Sequence, residues 1–128
     1  MIGNNAIVDS SILIEVMKGN KDVSAKLNAI PQALMNPIIL SELYFGACLS
    51  GNPNKNVNQI INAVQRFKLL NIDANTVQTF VSIKLDLSAK GTPIPENDIW
   101  IAASAVQHQL AVYTKDAHFK NIKNLNLI

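Results

Sequence analysis

The sequence predicts an α/β protein, with a central, mostly parallel sheet of four to five short strands flanked by helices. Short apolar runs alternate with helical stretches of about ten residues or more, as in βαβ units. The chain has 128 residues, is 48% hydrophobic and carries no low-complexity tract or long charge run. Residues 1–128 are therefore expected to form a single domain around one core. A chain of this size buries roughly two thirds of its unfolded surface, enough for a core without staples.

The elements follow in order. "NAIVD" at 5–9 is short, apolar and β-branched, and reads as a buried strand that stops at Asp9. In "SSILIEVMKG", Ser10 or Ser11 can cap a helix that Lys18 and Gly19 terminate. Asp22 can cap the next helix, with Val23, Leu27 and Ile30 inward. "ALMN" at 33–36 is a second strand, and Asn36-Pro37 then supplies a cap residue and a proline at the first helical position. That helix is expected to run to Gly51 and, given its apolar neighbours, to be largely buried. Val57, Ile60, Ile61, Val64 and Phe67 are spaced as one helix face. "LLNI" at 69–72 reads as a third strand. Asp73 caps a helix lasting to Lys90-Gly91. The loop "TPIPEN" leads into a helix with Ile99, Ala102, Ala103 and Val106 inward. "AVYT" at 111–114 is a fourth strand, and the terminal "LNLI" a candidate fifth.

Composition narrows the function classes. Cys48 is the only cysteine, so no internal disulfide can form, and a cytoplasmic location is expected. The N-terminus has no basic region followed by a long apolar run, so no signal peptide is expected, and no stretch approaches the length of a spanning helix. The net charge is +2, which permits nucleic-acid contact without demanding it.

The nine carboxylates divide into two groups. Asp22 and Asp73 read as caps, Asp86 and Glu15 as polar helix positions, and Glu96 as a favourable charge at a helix start. Asp9, Glu42, Asp98 and Asp116 remain. Asp9 ends the first strand and Asp116 follows the fourth, so both belong at one sheet edge, where open α/β sheets place their functional crevice. Asp98 lies in the first turn of a helix entered by a loop, directly against the apolar run Ile99-Trp100-Ile101-Ala102. Glu42 sits on an apolar helix. Singly these acids read as a cap, a solvent-reaching glutamate, a dipole partner and a turn residue. Together at one edge they require a cation. Oxygen ligands without a His or Cys pattern suit Mg²⁺ or Mn²⁺. Zinc is disfavoured, because Cys48, His108 and His118 show no ligand spacing.

Four segments in order, "IVDSSILIE", "ILSELYFGA", "IPENDIWIAASA" and "VYTKDAHF", resemble the PIN-domain ribonucleases, and among them the VapC-type toxins of toxin–antitoxin pairs. The resemblance implies a PIN-like three-layer sandwich and a metal-dependent endoribonuclease. It implies Asp9, Glu42, Asp98 and Asp116 as catalytic metal ligands for Mg²⁺ or Mn²⁺, with Ser11 and Thr114 orienting them from behind. It implies RNA as substrate, a cognate antitoxin of a type II pair, and a homodimer. Lys115, Lys120 and His118 are candidates for RNA contact, and Phe119 reads as core. Three alternatives stay open: a non-catalytic PIN-like interaction module, another Mg-dependent phosphoester hydrolase, and a receiver-like domain. A haloacid-dehalogenase-like hydrolase would want Asp-x-Asp where Asp9-Ser10-Ser11 stands, and a receiver would want adjacent acids near the first strand.

Overall fold

A computed structural model describes residues 5–128. Four strands, β1 (Ala6–Val8), β2 (Ala33–Met35), β3 (Lys68–Leu69) and β4 (Ala111–Tyr113), form one sheet in the order β3-β2-β1-β4. Every pairing is parallel, with Ile7 opposite Leu34 on one side and Val112 on the other. The helices are α1 (Ser10–Met17), α2 (Lys21–Asn28), α3 (Pro37–Cys48), α4 (Pro53–Val64), α5 (Ala74–Ala89) and α6 (Glu96–Gln107), followed by a 3₁₀ turn over Ala117–Asn121. From β1 the chain runs outward to β3, then crosses back to lay β4 on the other side of β1. The strand order therefore reverses between β1 and β4, and a crevice opens beyond their carboxyl ends. The terminal segment adds one parallel bridge, Val112 to Leu127, in place of a fifth strand.

The core is built on the two central strands. Ala6, Ile7, Val8 and Val112 have no exposed surface, and neither do Ile12, Ile39, Ile101 and Phe119 packed around them. Each of these valine, isoleucine and phenylalanine side chains contributes about 1.5–3 kcal/mol relative to exposure. Helix α6 is the most deeply set, with Asp98, Ile99 and the run Ile101–Ala105 buried. Trp100 stacks on Phe80 of α5, ring centroids 3.9 Å apart, and fixes α6 against that neighbour.

Several boundaries differ from the sequence reading. Asp9, not Ser10 or Ser11, caps α1: it is the first extended residue after β1, and its carboxylate accepts from the Ser10 N–H. Asn20 caps α2 through the Val23 N–H, which puts Asp22 in the first turn. Gly19, at φ +89°, ends α1 so sharply that one extended residue suffices between the helices. Asp73 caps α5 as expected, in a reciprocal box with Thr76. Helix α4 turns Ile61 outward and stops at Val64, so Phe67 reaches the core from the turn beyond. Strand β3 is Lys68–Leu69 and not 69–72: at the sheet edge only these two residues pair with β2, Lys68 opposite Leu34 and Leu69 opposite Met35. Helix α3 is not largely buried: it ends at Cys48, and Phe45 and Leu49 are 68% and 70% exposed. Its apolar sequence serves two faces, and only Ile39, Leu43 and Ala47 are fully covered.

Asn36 joins two of the helices that matter for function. It is fully buried; its side-chain oxygen accepts the Ile39 N–H at 3.0 Å to cap α3, and its amide donates to Trp100 O and Ser104 Oγ of α6. Asn36→Ala is expected to lower stability by about 2–4 kcal/mol, a lost cap plus buried groups left without partners. Asn36→Ser, which keeps a capping oxygen, should lose clearly less. Urea unfolding of both variants checks this, and equal losses would mean the capping oxygen carries nothing and the bridge to α6 carries the whole effect.

Candidate active site at the carboxyl edge of the sheet

Asp9 emerges where β1 ends and is 4% exposed. A buried carboxylate needs donors, and Asp9 has three. Oδ1 accepts from the Ser10 N–H at 2.8 Å, and Oδ2 accepts from Ser11 Oγ at 3.1 Å and Thr114 Oγ1 at 2.8 Å. Thr114 lies just past β4, so its hydroxyl ties the ends of the two central strands together. The same hydroxyl accepts the Asp116 N–H at 2.9 Å, and Ser11 Oγ accepts the Lys115 N–H at 3.2 Å. Asp116 then caps the 3₁₀ turn through the His118 N–H.

Asp98 enters from the other side, on the first turn of α6, and is 7% exposed. Its Oδ2 lies 3.0 Å from His118 Nδ1, and the same nitrogen lies 2.9 Å from Asp116 Oδ1. Burial pushes the Asp98 carboxyl up to about 6; the His118 hydrogen bond opposes this, and the charges of Asp116 and Asp9 add to it. The hydrogen bond to Asp98 raises the His118 pKa in return, and the Asp116 and Asp98 charges add to it. Glu42 reaches the cluster from α3, where its Oε1 accepts from Ser10 Oγ at 3.2 Å and its Oε2 from Asn97 Nδ2 at 3.3 Å. Its pKa is raised, chiefly by burial; the Asn97 bond lowers it, and the Asp9 charge raises it again.

The four acids proposed from sequence thus face one another across the crevice, but not equally. One ligand atom each from Asp98, Asp116 and His118 lie within 4.8 Å of one another, and this is the only such group of His, Cys, Asp and Glu among the described residues. Asp9 and Glu42 stand outside that triplet, close enough to repel its charges. Cys48, exposed on α3, and His108, at the C-cap of α6, lie outside it too. Beside the carboxylates expected from the sequence, an imidazole nitrogen, His118 Nδ1, stands in the cluster. Buried Asp98 and half-buried Glu42 both have raised pKa values, and the charges of Asp9 and Asp116 push each of them up; a divalent cation would relieve this, so the donor set fits one.

Sequence reasoning passed over Ser10 and Asn97 as supports of Glu42. Their only signal was position, each adjacent to an acid at the loop-bearing edge. Lys115 and Lys120 are exposed, and Lys115 Nζ leans to 3.9 Å from Glu15.

A parallel α/β sheet with acids gathered where its strand order reverses defines an α/β protein with a carboxylate centre. The chain belongs to the PIN domain family, which it matches over residues 6–125, and within it to the VapC ribonucleases. It is 31% identical to Ribonuclease VapC1 of Rickettsia felis over 126 residues, 95% of this chain and 93% of that one. Its fold is similar to VapBC2 of Rickettsia felis, crystallised bound to a DNA fragment from its promoter, at 22% identity, TM-score 0.90 and 97% coverage of both chains. It is also similar in fold to VapBC-5 of Mycobacterium tuberculosis, a member of the VapBC family of toxin–antitoxin systems, at 21% identity, TM-score 0.79 and 98% coverage of both.

Proposed function

We propose that this chain is the toxin of a type II toxin–antitoxin pair, an endoribonuclease that hydrolyses RNA phosphodiester bonds with a divalent ion, Mg²⁺ or Mn²⁺, at its carboxylate centre. The observation that carries the reading is the buried Asp98 facing Asp116 across the crevice, in a chain aligned with a VapC ribonuclease over 95% of its length. Asp9, Asp98 and Asp116 would hold the ion, with Glu42 completing the site. Once bound, such an ion polarises the phosphoryl oxygen, lowers the pKa of water and stabilises the leaving oxygen. The chain's own residues do the rest. Ser11 and Thr114 lock Asp9, Thr114 also fixes the Asp116 backbone, and Ser10 with Asn97 aim Glu42. Ligands held this way lose little entropy on binding, and removing such supports typically costs 10–100-fold. Lys115 and Lys120 flank Asp116 and would meet RNA phosphates as it docks.

The test is incubation with total RNA and Mg²⁺ or Mn²⁺, with and without chelator. Internal cleavage that chelator abolishes is expected. Cleavage unaffected by chelator, or none with either ion, would sink the reading.

The cognate antitoxin is proposed to lie in the groove of about 440 Å³ between α1, α3 and α4. Its floor is apolar, with Ile14, Met17, Leu43 and Ile60, and Glu42 lines it as well. An antitoxin segment seated there would reach the acids, and Arg is the side chain that forks best onto carboxylates.

A homodimer is proposed through α5, where Val77, Val81 and Leu85 repeat every fourth residue and are 45%, 48% and 66% exposed. That is an apolar stripe on one helix face, without cover among the described residues. Light scattering at micromolar concentration should give a dimer for the parent and a monomer for Leu85→Glu. A monomeric parent would remove this claim.

A further inference from the structure

His118 sits inside the carboxylate cluster. Its backbone N–H bonds Asp116 Oδ1 at 2.9 Å, and the next residue, Phe119, is fully buried, so the backbone that carries the ring is anchored at both points. The ring's Nδ1 lies 3.0 Å from Asp98 Oδ2 and 2.9 Å from Asp116 Oδ1. Two ligands at right angles around an ion about 2.1 Å away stand about 3.0 Å apart, from the usual metal–oxygen and metal–nitrogen lengths. The distances from Nδ1 to its two carboxylate neighbours are therefore those of adjacent corners of one coordination sphere.

Resting on the reading of this edge as a divalent-ion site, we propose that His118 Nδ1 is a metal ligand and makes the centre select Mn²⁺ over Mg²⁺. Mg²⁺ prefers oxygen ligands and dehydrates reluctantly, whereas first-row transition ions accept imidazole readily. Asp98 and Asp116 supply charge that either ion would use. The nitrogen is what discriminates. A histidine that only hydrogen-bonds the carboxylates from outside would affect both ions alike.

The test uses the whole chain with each metal alone, without RNA. In pulsed electron paramagnetic resonance of the Mn²⁺-loaded parent, modulation from a directly bound ¹⁴N is expected, and it should vanish in His118→Gln. Calorimetric titration should give tighter binding of Mn²⁺ than of Mg²⁺ by the parent. In His118→Gln the Mn²⁺ affinity should fall tenfold or more while the Mg²⁺ affinity changes less than threefold. Mn²⁺ binding without ¹⁴N modulation in the parent would overturn the assignment of His118 and leave the carboxylate site standing. Equal loss of both ions in the variant would do the same. Failure of both ions to bind the parent at millimolar concentration would overturn the site and the proposed function with it.

Discussion

Asp98→Asn, and separately Asp9→Asn, should lose metal-dependent RNA cleavage by two to three orders of magnitude or more while keeping the fold. Each replacement is nearly isosteric and removes one negative charge. A catalytic divalent ion contributes several kcal/mol to the transition state, and each 1.36 kcal/mol is a factor of ten in rate. The two positions should fail differently. Among the described residues the Asp98 carboxylate meets no donor but the His118 ring, so its neutral amide weakens the centre with little disturbance elsewhere. Asp9 accepts three hydrogen bonds, and an amide there turns one acceptor into a donor facing Ser11 and Thr114 or the Ser10 N–H. Asp9→Asn should therefore also lower stability, whereas Thr114→Val should cost about 10–100-fold in rate by loosening Asp9. Circular dichroism establishes folding, and single-turnover cleavage at saturating Mg²⁺ or Mn²⁺ measures the loss. Either Asp variant cleaving like the parent would show that the acids are assigned wrongly.

Stability in chelator should move in the opposite direction for Asp98. Its carboxyl titrates near 6 in the folded chain against 3.8 unfolded, chiefly because it is buried. A raised folded pKa means that the native state holds the proton more tightly. The resulting stability is complete below about pH 4 and is lost as pH rises through about 6. His118 follows the same sense higher up: its raised pKa adds stability that is present below 6.5 and lost as pH rises through its folded value. Without metal, the parent should thus weaken steadily from about pH 4 into the neutral range. Asp98→Asn removes the charge that is costly to bury, so at pH 7 it should be more stable than the parent by about 1–3 kcal/mol, the shift converted at 1.36 kcal/mol per unit and reduced for the lost His118 contact. Its pH slope should flatten as well. Mn²⁺ should stabilise the parent by about 2.7 kcal/mol at a hundred times Kd, and the variant far less. An acid that served only the α6 dipole would give the opposite sign, a loss of about 0.3–1 kcal/mol on neutralisation. Thermal melts across pH, with chelator and with Mn²⁺, separate the two.

These expectations depend on features that were unequally legible in the sequence. The parallel sheet followed from alternation, because strands buried between crossover helices must be short and apolar. The caps at Asn36 and Asp73 followed from local chemistry, an Asn before a proline and an Asp at the head of a helical stretch. Asn20 was missed because an Asn after Gly19 resembles loop, while Asp22 competed for the same role two residues later. The exposed side of α3 was unreadable for a different reason. Phe45 and Leu49 are as apolar as Leu43, and hydrophobicity does not say whether a face meets its own core or another chain. His118 was the least accessible. It lies two residues from Asp116 but twenty from Asp98, and only the docking of α6 brings its ring between the two.

That docking has a practical side. Trp100 is the chain's single tryptophan, two residues from Asp98 and stacked on Phe80. Its carbonyl accepts from the Asn36 amide, so the same residue touches α5 through its ring and the start of α3 through its backbone. Indole emission from this protein therefore comes from one place, the joint of α3, α5 and α6, two of which carry crevice acids. The chain has a built-in fluorophore for titrating whatever enters that crevice, with no label attached and no second indole to subtract.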